Sequence, residues 1–409
     1  MFRRNCMVCN SSDMKEIINL GLHNFADTFL RKEDLEEPEK LYPLICDLCM
    51  SCGQVQLRAV TDPKERYMGH DYSYTSSNSK FSRKHWEEFA NTIISRLSLN
   101  PGKLVVEAGS NDGFLTKQFL LRGNKVLGVD PSDYMAKLAE KEGVKTIVGL
   151  FNKETARKIL SEHGKAGLVI ANNVFNHSNE PLEFARAAAE ILEDNGTFVY
   201  EMPYWYISVK DEKFDQIYHE HVSYFTVKSS AAITERAGMY IHDAEVVDYH
   251  GGSLRIYAKL KEGNEEHCEK ALKMINDEER EGLFRVERYN ELMSSVINKR
   301  NRFMEEVHHI KNNGGKIIGV GAAAKGNTML TYYNLNSGIL DFVTDSSPHK
   351  QGKYTPATRV PITGDEIFSK YEKPHALILS WNISEQIKAI LQKINPNIQF
   401  ITPWKEHNL

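Results

Sequence analysis

No apolar run in this chain approaches the ~20 residues that a membrane-spanning helix needs, and 26% of its 409 positions are charged. An excess of positive charge is also missing. The 51 Lys and Arg face 55 Asp and Glu, a formal net charge of −4. Bulk electrostatic binding to nucleic acid or to an anionic membrane is therefore not expected. The opening segment MFRRNCMVCN has two arginines with no apolar stretch behind them, so it does not read as a secretory signal. Low-complexity tracts are absent. Cysteine is scarce, 6 in all, and 5 of these lie in the first 52 residues. Paired C-x-x-C spacing in a chain without a signal points to zinc in a reducing, cytoplasmic setting rather than to disulfides.

Three of those cysteines sit in ICDLCMSCGQVQL, as two overlapping C-x-x-C pairs that share Cys49. A metal knuckle turns back on itself after its second cysteine. The residue that follows often needs a positive φ, which suits glycine and, less readily, asparagine. Cys52 is followed by Gly53 and Cys9 by Asn10, whereas Cys49 is followed by Met50. The pairing selected is Cys6 and Cys9 with Cys49 and Cys52, leaving Cys46 as a buried spare thiol. Four thiolates leave no open coordination position, so the expected zinc ion is structural.

Beyond these cysteines the chain reads as α/β. The runs KLVVEAGS, KVLGVD, GLVIANNV and GTFVYEMP are short, β-branched and separated by helix-like segments, the pattern of a parallel sheet wound with helices. A charged, proline-free stretch with helical apolar spacing follows. The strand–turn–helix pattern then restarts at GKIIGVGAAAKGN. The domain boundaries expected are 1–75 for a zinc-binding domain, 76–263 for a Rossmann-like domain, 264–310 for a helical linker and 311–409 for a second Rossmann-like domain.

VVEAGSNDGFL carries the first candidate site. Glu107, Gly109 and Gly113 form E-x-G-x-x-x-G at a strand end, where α/β sheets bind ligands. Asn111 stands where a dinucleotide fingerprint needs its second glycine. Glu107 and Asp112 add negative charge, a poor neighbour for pyrophosphate. S-adenosylmethionine, with a sulfonium, an ammonium and no phosphate, fits this turn better. Asp130, ending the next strand, is placed to accept both ribose hydroxyls. Asn172 and Asn173 close a further strand where the cofactor's amino-acid part or the substrate would lie, and His177 follows at the same edge.

FDQIYHEHVSYF packs Tyr218, His219, Glu220 and His221 into four positions. Histidine titrates near neutrality, and a nearby phenol or carboxylate orients its ring, so acid–base chemistry is expected of at least one of them. A metal reading of H-x-H lacks a third ligand at a convincing spacing.

With these motifs in order, the chain resembles the three-domain sugar C-methyltransferases that act on nucleotide-activated 4-keto-6-deoxysugars. The resemblance runs through CMVC, CGQVQL, LGLHNFADTFL, VVEAGSNDGFL, GVDPS, ANNVFNH, EMPY, YHEHVSYF, HGGSLRIY, GAAAKGNTML and KQGKYTPATRVPI. It implies an N-terminal zinc domain, a central class I methyltransferase domain and a C-terminal Rossmann-like domain that helps hold the nucleotide sugar. It also implies methylation of C3, beside the C4 ketone, with His221 as the base. Tyr218, Glu220 and His177 match other residues of the family's site, and so does a tyrosine from HDYSYTSSNS, Tyr74 being favoured over Tyr72.

In the last domain, Gly321 permits close backbone approach. Lys325 at a helix start has the right sign for a diphosphate. Asn327, Lys350, Gln351 and Tyr354 are the further candidates for nucleotide-sugar contact, the nucleotide being dTDP or GDP. The competing readings are a sugar O-methyltransferase and an NAD-dependent nucleotide-sugar oxidoreductase or epimerase.

Overall fold

The computed structural model describes residues 2–67, 75–77 and 79–403. Tyr72 and Tyr74 lie outside the described residues. Among the described residues no helix is long and apolar enough to cross a membrane.

The cysteine-rich segment builds an antiparallel sheet from Met14–His23, Tyr42–Cys49 and Val55–Leu57. A fourth strand, Ser223–Tyr224, comes from far along the chain and pairs with Val55–Leu57. Leu44, Cys46 and Leu48 alternate along the middle strand and are fully buried. This face is too small to stand alone. It packs instead against the long helix Val286–Asn312. One apolar cluster runs from Ile18 and Leu44 through Tyr289, Leu292 and Val296 to Leu330 and Val343 of the last domain. Each large side chain buried in this way contributes about 1.5–3 kcal/mol.

The central sheet has seven strands in the order Met239–Val247, Ser253–Leu260, Leu192–Pro203, Ala166–Asn172, Leu104–Ala108, Lys125–Asp130, Thr146–Val148. Its last five are parallel, and Ser253–Leu260 runs antiparallel to both of its neighbours. This is the class I methyltransferase arrangement. Because the sheet is covered on both faces, its inner strands Leu104–Ala108 and Ala166–Asn172 are buried almost throughout rather than alternating. Val106, Ala108, Leu127 and Val169 face one cluster. Val105, Leu168, Ile170 and Val199 face the other, under Trp86, Phe89 and Ile93 of the helix Lys80–Leu97.

Helices Glu269–Arg280 and Val286–Asn312 lead to the C-terminal sheet. Its five strands are all parallel, in the order Ile362–Thr363, Phe342–Thr344, Ile317–Val320, His375–Ile378, Gln399–Ile401. The cysteine-rich segment is strapped to this domain. Leu30 and Tyr354 exchange backbone hydrogen bonds at 2.8 and 2.9 Å. Arg359 donates to the Leu35 and Glu37 carbonyls and faces the Glu39 carboxylate.

Candidate active site and metal centre

The Sγ atoms of Cys6, Cys9, Cys49 and Cys52 all lie within 4.8 Å of one another, with Cys6–Cys52 and Cys9–Cys49 at 3.5 Å. A tetrahedral zinc with Zn–S near 2.3 Å requires S···S separations of about 3.8 Å, so the four sulfurs fit that ion. Both knuckles close through a left-handed residue. Asn10 has φ 59° and donates to the Cys6 carbonyl, while Gly53 has φ 75° and donates to that of Cys49. A Cβ at Gly53 would also meet the Phe284 ring at 2.7 Å. The Cys6 thiol is pushed up to about 12 by its hydrogen-bonded neighbour Cys49 and by burial. Four thiolates can share this space only around a cation. Cys46 is fully buried in its strand, and burial pushes its thiol up. The cluster thus binds a structural zinc and carries no open ligand position.

The turn after Leu104–Ala108 is built for close approach. Gly109 has φ 70° and Gly113 φ 77°, and a Cβ on either would meet Val174 or Ala139 at under 3 Å. Asn111, itself left-handed at φ 50°, donates its backbone N–H to Asp130 Oδ2 at 2.9 Å. Ser132 N donates to Asp130 Oδ1 at 2.9 Å. Each carboxylate oxygen is thereby oriented and keeps a lone pair for a hydroxyl. Both amide atoms of Asn172, at the end of the neighbouring strand, are enclosed without a partner among the described residues. The adjacent Asn173 is left-handed at φ 51°. A carboxylate for a diol at one strand end and an enclosed amide two strands away, on either side of the glycine turn, suit an adenosyl cofactor bearing an amino acid.

Glu107 and Asp112 are disposed differently from one another. Burial pushes the Glu107 carboxyl up to about 8, so it is protonated at neutral pH, and it accepts the Thr116 hydroxyl. Asp112 accepts both hydroxyls of Ser76 and Ser77 at 2.6 Å, and Ser76 N donates to Asn111 Oδ1. The serine segment therefore lies over the cofactor turn. Burial raises the Asp130 carboxyl as well, and the Ser132 and Asn111 backbone N–H groups oppose it.

Tyr218, His219, Glu220 and His221 are neither helix nor strand but a β-turn, closed by His221 N to the Tyr218 carbonyl at 2.9 Å. The turn brings its first and fourth side chains together and sends the middle two elsewhere. The rings of Tyr218 and His221 are 4.0 Å apart, with Tyr218 Oη 2.6 Å from His221 Nε2. His221 Nδ1 lies 2.9 Å from the Gln216 carbonyl, which can only accept. The proton is thus assigned to Nδ1, leaving Nε2 with a free-electron pair that receives the tyrosine hydroxyl. Burial, together with His177 and Lys325 nearby, holds His221 well below the usual histidine range. His221 is a neutral base at physiological pH.

His177, on the short helix Phe175–His177, places its ring 5.1 Å from that of His221. Burial lowers it to about 3. His219 points the other way, to the Asn24 carbonyl at 3.3 Å, among Phe25 and Tyr42. Among the described residues only the four cysteines group as metal ligands. Glu220 is buried with Oε2 unpartnered among the described residues, and its carboxyl is pushed up to about 7 by burial and by Asp27.

The C-terminal domain meets this turn directly. Helix Ala324–Tyr333 sets Thr328 Oγ1 3.1 Å from the Ile217 carbonyl and Asn327 Nδ2 2.6 Å from that of Ala26. Lys325 Nζ lies 3.5 Å from the His250 carbonyl and 5.0 Å from the Trp381 ring centre, and burial lowers it to about 8. Lys350 reaches the Ala322 carbonyl at 2.6 Å and sits 4.8 Å above Phe29. Gln351 donates to the Asp345 carbonyl, and the Tyr354 backbone holds Leu30. Gly321, with φ 93°, packs against Ser380. Three segments, 24–30, 215–221 and 322–328, therefore converge from three domains.

Sequence reasoning missed Asp27, Arg66 and Asp215 at this junction. Arg66 holds the His219 carbonyl at 3.1 Å and Asn179 at 3.0 Å. Asp215 accepts from Trp381 Nε1 at 2.5 Å while its Oδ1 stays enclosed and unpartnered among the described residues. Asp27 and Asp215 both stand inside stretches already singled out, NFADTFL and FDQIYHEH, and that proximity was the only available signal.

Three family models match the chain: a zinc binding domain over residues 6–67, a methyltransferase domain over 82–244 and a C-methyltransferase C-terminal domain over 248–404. The chain is 31% identical over 382 residues to C-methyltransferase NovU of Streptomyces niveus, covering 93% of this chain and 90% of that one. An uncharacterized methyltransferase of Geobacillus sp. is 37% identical over 79 residues, 19% of this chain and 37% of its own. Among solved structures, the PH0226 protein of Pyrococcus horikoshii aligns with 49% of this chain and 100% of its own, at 17% identity and a TM-score of 0.38. Magnesium protoporphyrin IX methyltransferase of Synechocystis, with bound S-adenosylmethionine, aligns with 50% of this chain and 99% of its own, at 16% identity and 0.37.

Proposed function

We propose, from the premise that this chain belongs to the zinc-domain C-methyltransferase family and is an S-adenosylmethionine-dependent enzyme, that its acceptor is C3 of a nucleotide-activated 4-keto-6-deoxyhexose. The observation that supports this most is the Tyr218–His221 pair. It offers a neutral imidazole whose unprotonated Nε2 accepts a phenol hydroxyl at 2.6 Å, a base and a donor at one point. A carbon acceptor needs such a pair, because a C–H must be broken before the carbon can act as a nucleophile.

A C–H next to a ketone is acidic because its conjugate base is an enolate. His221 Nε2 takes the C3 proton, and the Gln216 carbonyl stabilises the imidazolium through Nδ1–H. For this, Tyr218 first turns its hydroxyl away from His221 Nε2 to O4, where it donates to the growing oxyanion, with His177 beside it. Asp130 holds the ribose hydroxyls of the cofactor and Asn172 its amino-acid end. When bound, S-adenosylmethionine supplies a methyl group made electrophilic by the sulfonium. Enclosed acceptors at Asp215 Oδ1, Glu220 Oε2 and Asn327 Oδ1 suit a ligand rich in hydroxyl donors. Lys325 and Lys350 supply positive charge for its diphosphate. No residue of this account requires the zinc to touch substrate. A pathway making a branched deoxysugar for a polysaccharide or natural product fits this chemistry.

The test is incubation with dTDP- and GDP-linked 4-keto-6-deoxyhexoses and a labelled methyl donor. Label should pass to one of these sugars and stay there through mild acid hydrolysis. Transfer to none of them, with tight NAD(H) binding instead, would favour the oxidoreductase reading.

A further inference from the structure

The central and C-terminal sheets repeat one hydrogen-bond frame that their sequences conceal. Both place their first five strands in the same spatial order, third, second, first, fourth, fifth. Ala108 pairs with Val129 in the central sheet, as Val320 pairs with Thr344 in the other. The glycine that follows each first strand is left-handed, at φ 70° for Gly109 and 93° for Gly321. Each donates its N–H to the partner residue's carbonyl at 2.7 Å. The residue after that partner is an aspartate in both cases, Asp130 at its strand's end and Asp345 just past its own.

Asp130 and Asp345 are then held by matching bonds. Oδ2 accepts a backbone N–H of the glycine turn, from Asn111 at 2.9 Å or from Ala322 at 2.9 Å. Oδ1 accepts the N–H of the serine two residues on, from Ser132 at 2.9 Å or from Ser347 at 2.8 Å. Such a frame, at the carboxyl edge of a parallel sheet, presents a carboxylate to nucleoside hydroxyls.

The frames differ in charge. Asp112 belongs to the central turn, whereas Lys350 crosses the C-terminal turn, bonded to the Ala322 carbonyl at 2.6 Å and 3.8 Å from Asp345 Oδ2. One turn suits a nucleoside without phosphate, and the other suits a nucleoside carrying a diphosphate. The lysine also distinguishes the two oxygens. Oδ2 of Asp345 shares Lys350, so Oδ1 is left to accept a single hydroxyl. The 3′-hydroxyl is the one common to ribonucleotides and 2′-deoxyribonucleotides.

Resting on the nucleotide-sugar reading above, we infer that Asp345 is the nucleoside anchor of the substrate, accepting its 3′-hydroxyl as Asp130 accepts the ribose of the methyl donor. A double cycle by calorimetry on the full chain tests this. The probes are dTDP and GDP, each against its 3′-deoxy analogue, with wild type and Asp345→Asn. Removing the 3′-hydroxyl should weaken binding to wild type roughly ten- to a hundredfold, the range for a hydrogen bond to a charged group. Asp345→Asn should lose a similar factor on the parent nucleotide and lose nothing more with the 3′-deoxy analogue. S-adenosylhomocysteine affinity should not change. Losses that multiply, a variant that binds as wild type, or one that weakens both nucleotides equally would overturn the inference. If wild type binds neither diphosphate, the nucleotide-sugar reading itself fails and takes this one with it.

Discussion

Replacing Tyr218 by phenylalanine sets two effects of one oxygen against each other. In the resting site the hydroxyl occupies the lone pair of His221 Nε2 at 2.6 Å. That bond must open before the base can act, and deleting it returns about 0.5–1.5 kcal/mol, the net worth of an ordinary hydrogen bond. During proton removal the same hydroxyl is the donor to the O4 oxyanion. Losing one such donor costs about 2.7–4 kcal/mol. The second effect wins by about 1–3.5 kcal/mol, so the proton-removal rate should fall roughly ten- to a few-hundredfold. The assay is exchange of the substrate C3 hydrogen for solvent deuterium, followed by proton NMR with S-adenosylhomocysteine in the cofactor site. Methyl transfer should fall with it, and cofactor affinity should not. Exchange in Tyr218→Phe as fast as wild type, or faster, would refute the oxyanion role and leave the tyrosine as a plug on the base.

Four further outcomes follow from named contacts. Because burial holds His221 below its ordinary range, the base stays neutral as pH falls, and in Glu220→Gln, which removes a group that titrates near 7, the exchange rate at saturating substrate should remain flat from pH 7.5 down through 6.5; an acid limb centred at 6.5 or above in that variant would contradict the burial argument. Lys325, lowered to about 8, loses its charge as pH rises through that value, so dTDP or GDP affinity should weaken above pH 8 and Lys325→Met should abolish that dependence in calorimetric titrations. Cys46→Ser should retain one zinc per chain by metal analysis while Cys49→Ser loses it, since only Cys49 belongs to the sulfur cluster. Gly109→Ala forces a left-handed alanine against Val174, costing about 1–2 kcal/mol in backbone strain alone, and should lower both the urea midpoint and cofactor affinity.

Local chemistry was readable in the sequence wherever one residue imposes one geometry. Asn10 and Gly53 after the second cysteines disclosed which thiols form the knuckles, because few residues tolerate φ near 59° and 75°. The β-branched runs disclosed the strands, since both faces of a parallel sheet are buried. What stayed hidden depends on tertiary contact. The closeness of Tyr218 and His221 comes from a β-turn that helical or strand periodicity does not describe. The strand Ser223–Tyr224, two residues long, carries no periodic signal, yet it completes the zinc-domain sheet immediately after the base. Glu107 counts as a charge in the sequence, but burial makes it a neutral hydrogen-bonding group. The likeness of Asp130 and Asp345 is written in backbone N–H groups, so the unrelated stretches GSNDG and GAAAKG conceal it.

The most direct test of carbon methylation is the position of a ¹³C-labelled methyl group in the product. With the accepted nucleotide sugar and labelled donor, long-range proton–carbon NMR should join the new methyl to C3, next to the C4 carbonyl, with the C3 hydrogen gone. A methyl on C5 would keep the enolate chemistry and correct the position. A methyl bonded to oxygen, with the C3 hydrogen retained, would contradict the account at its centre.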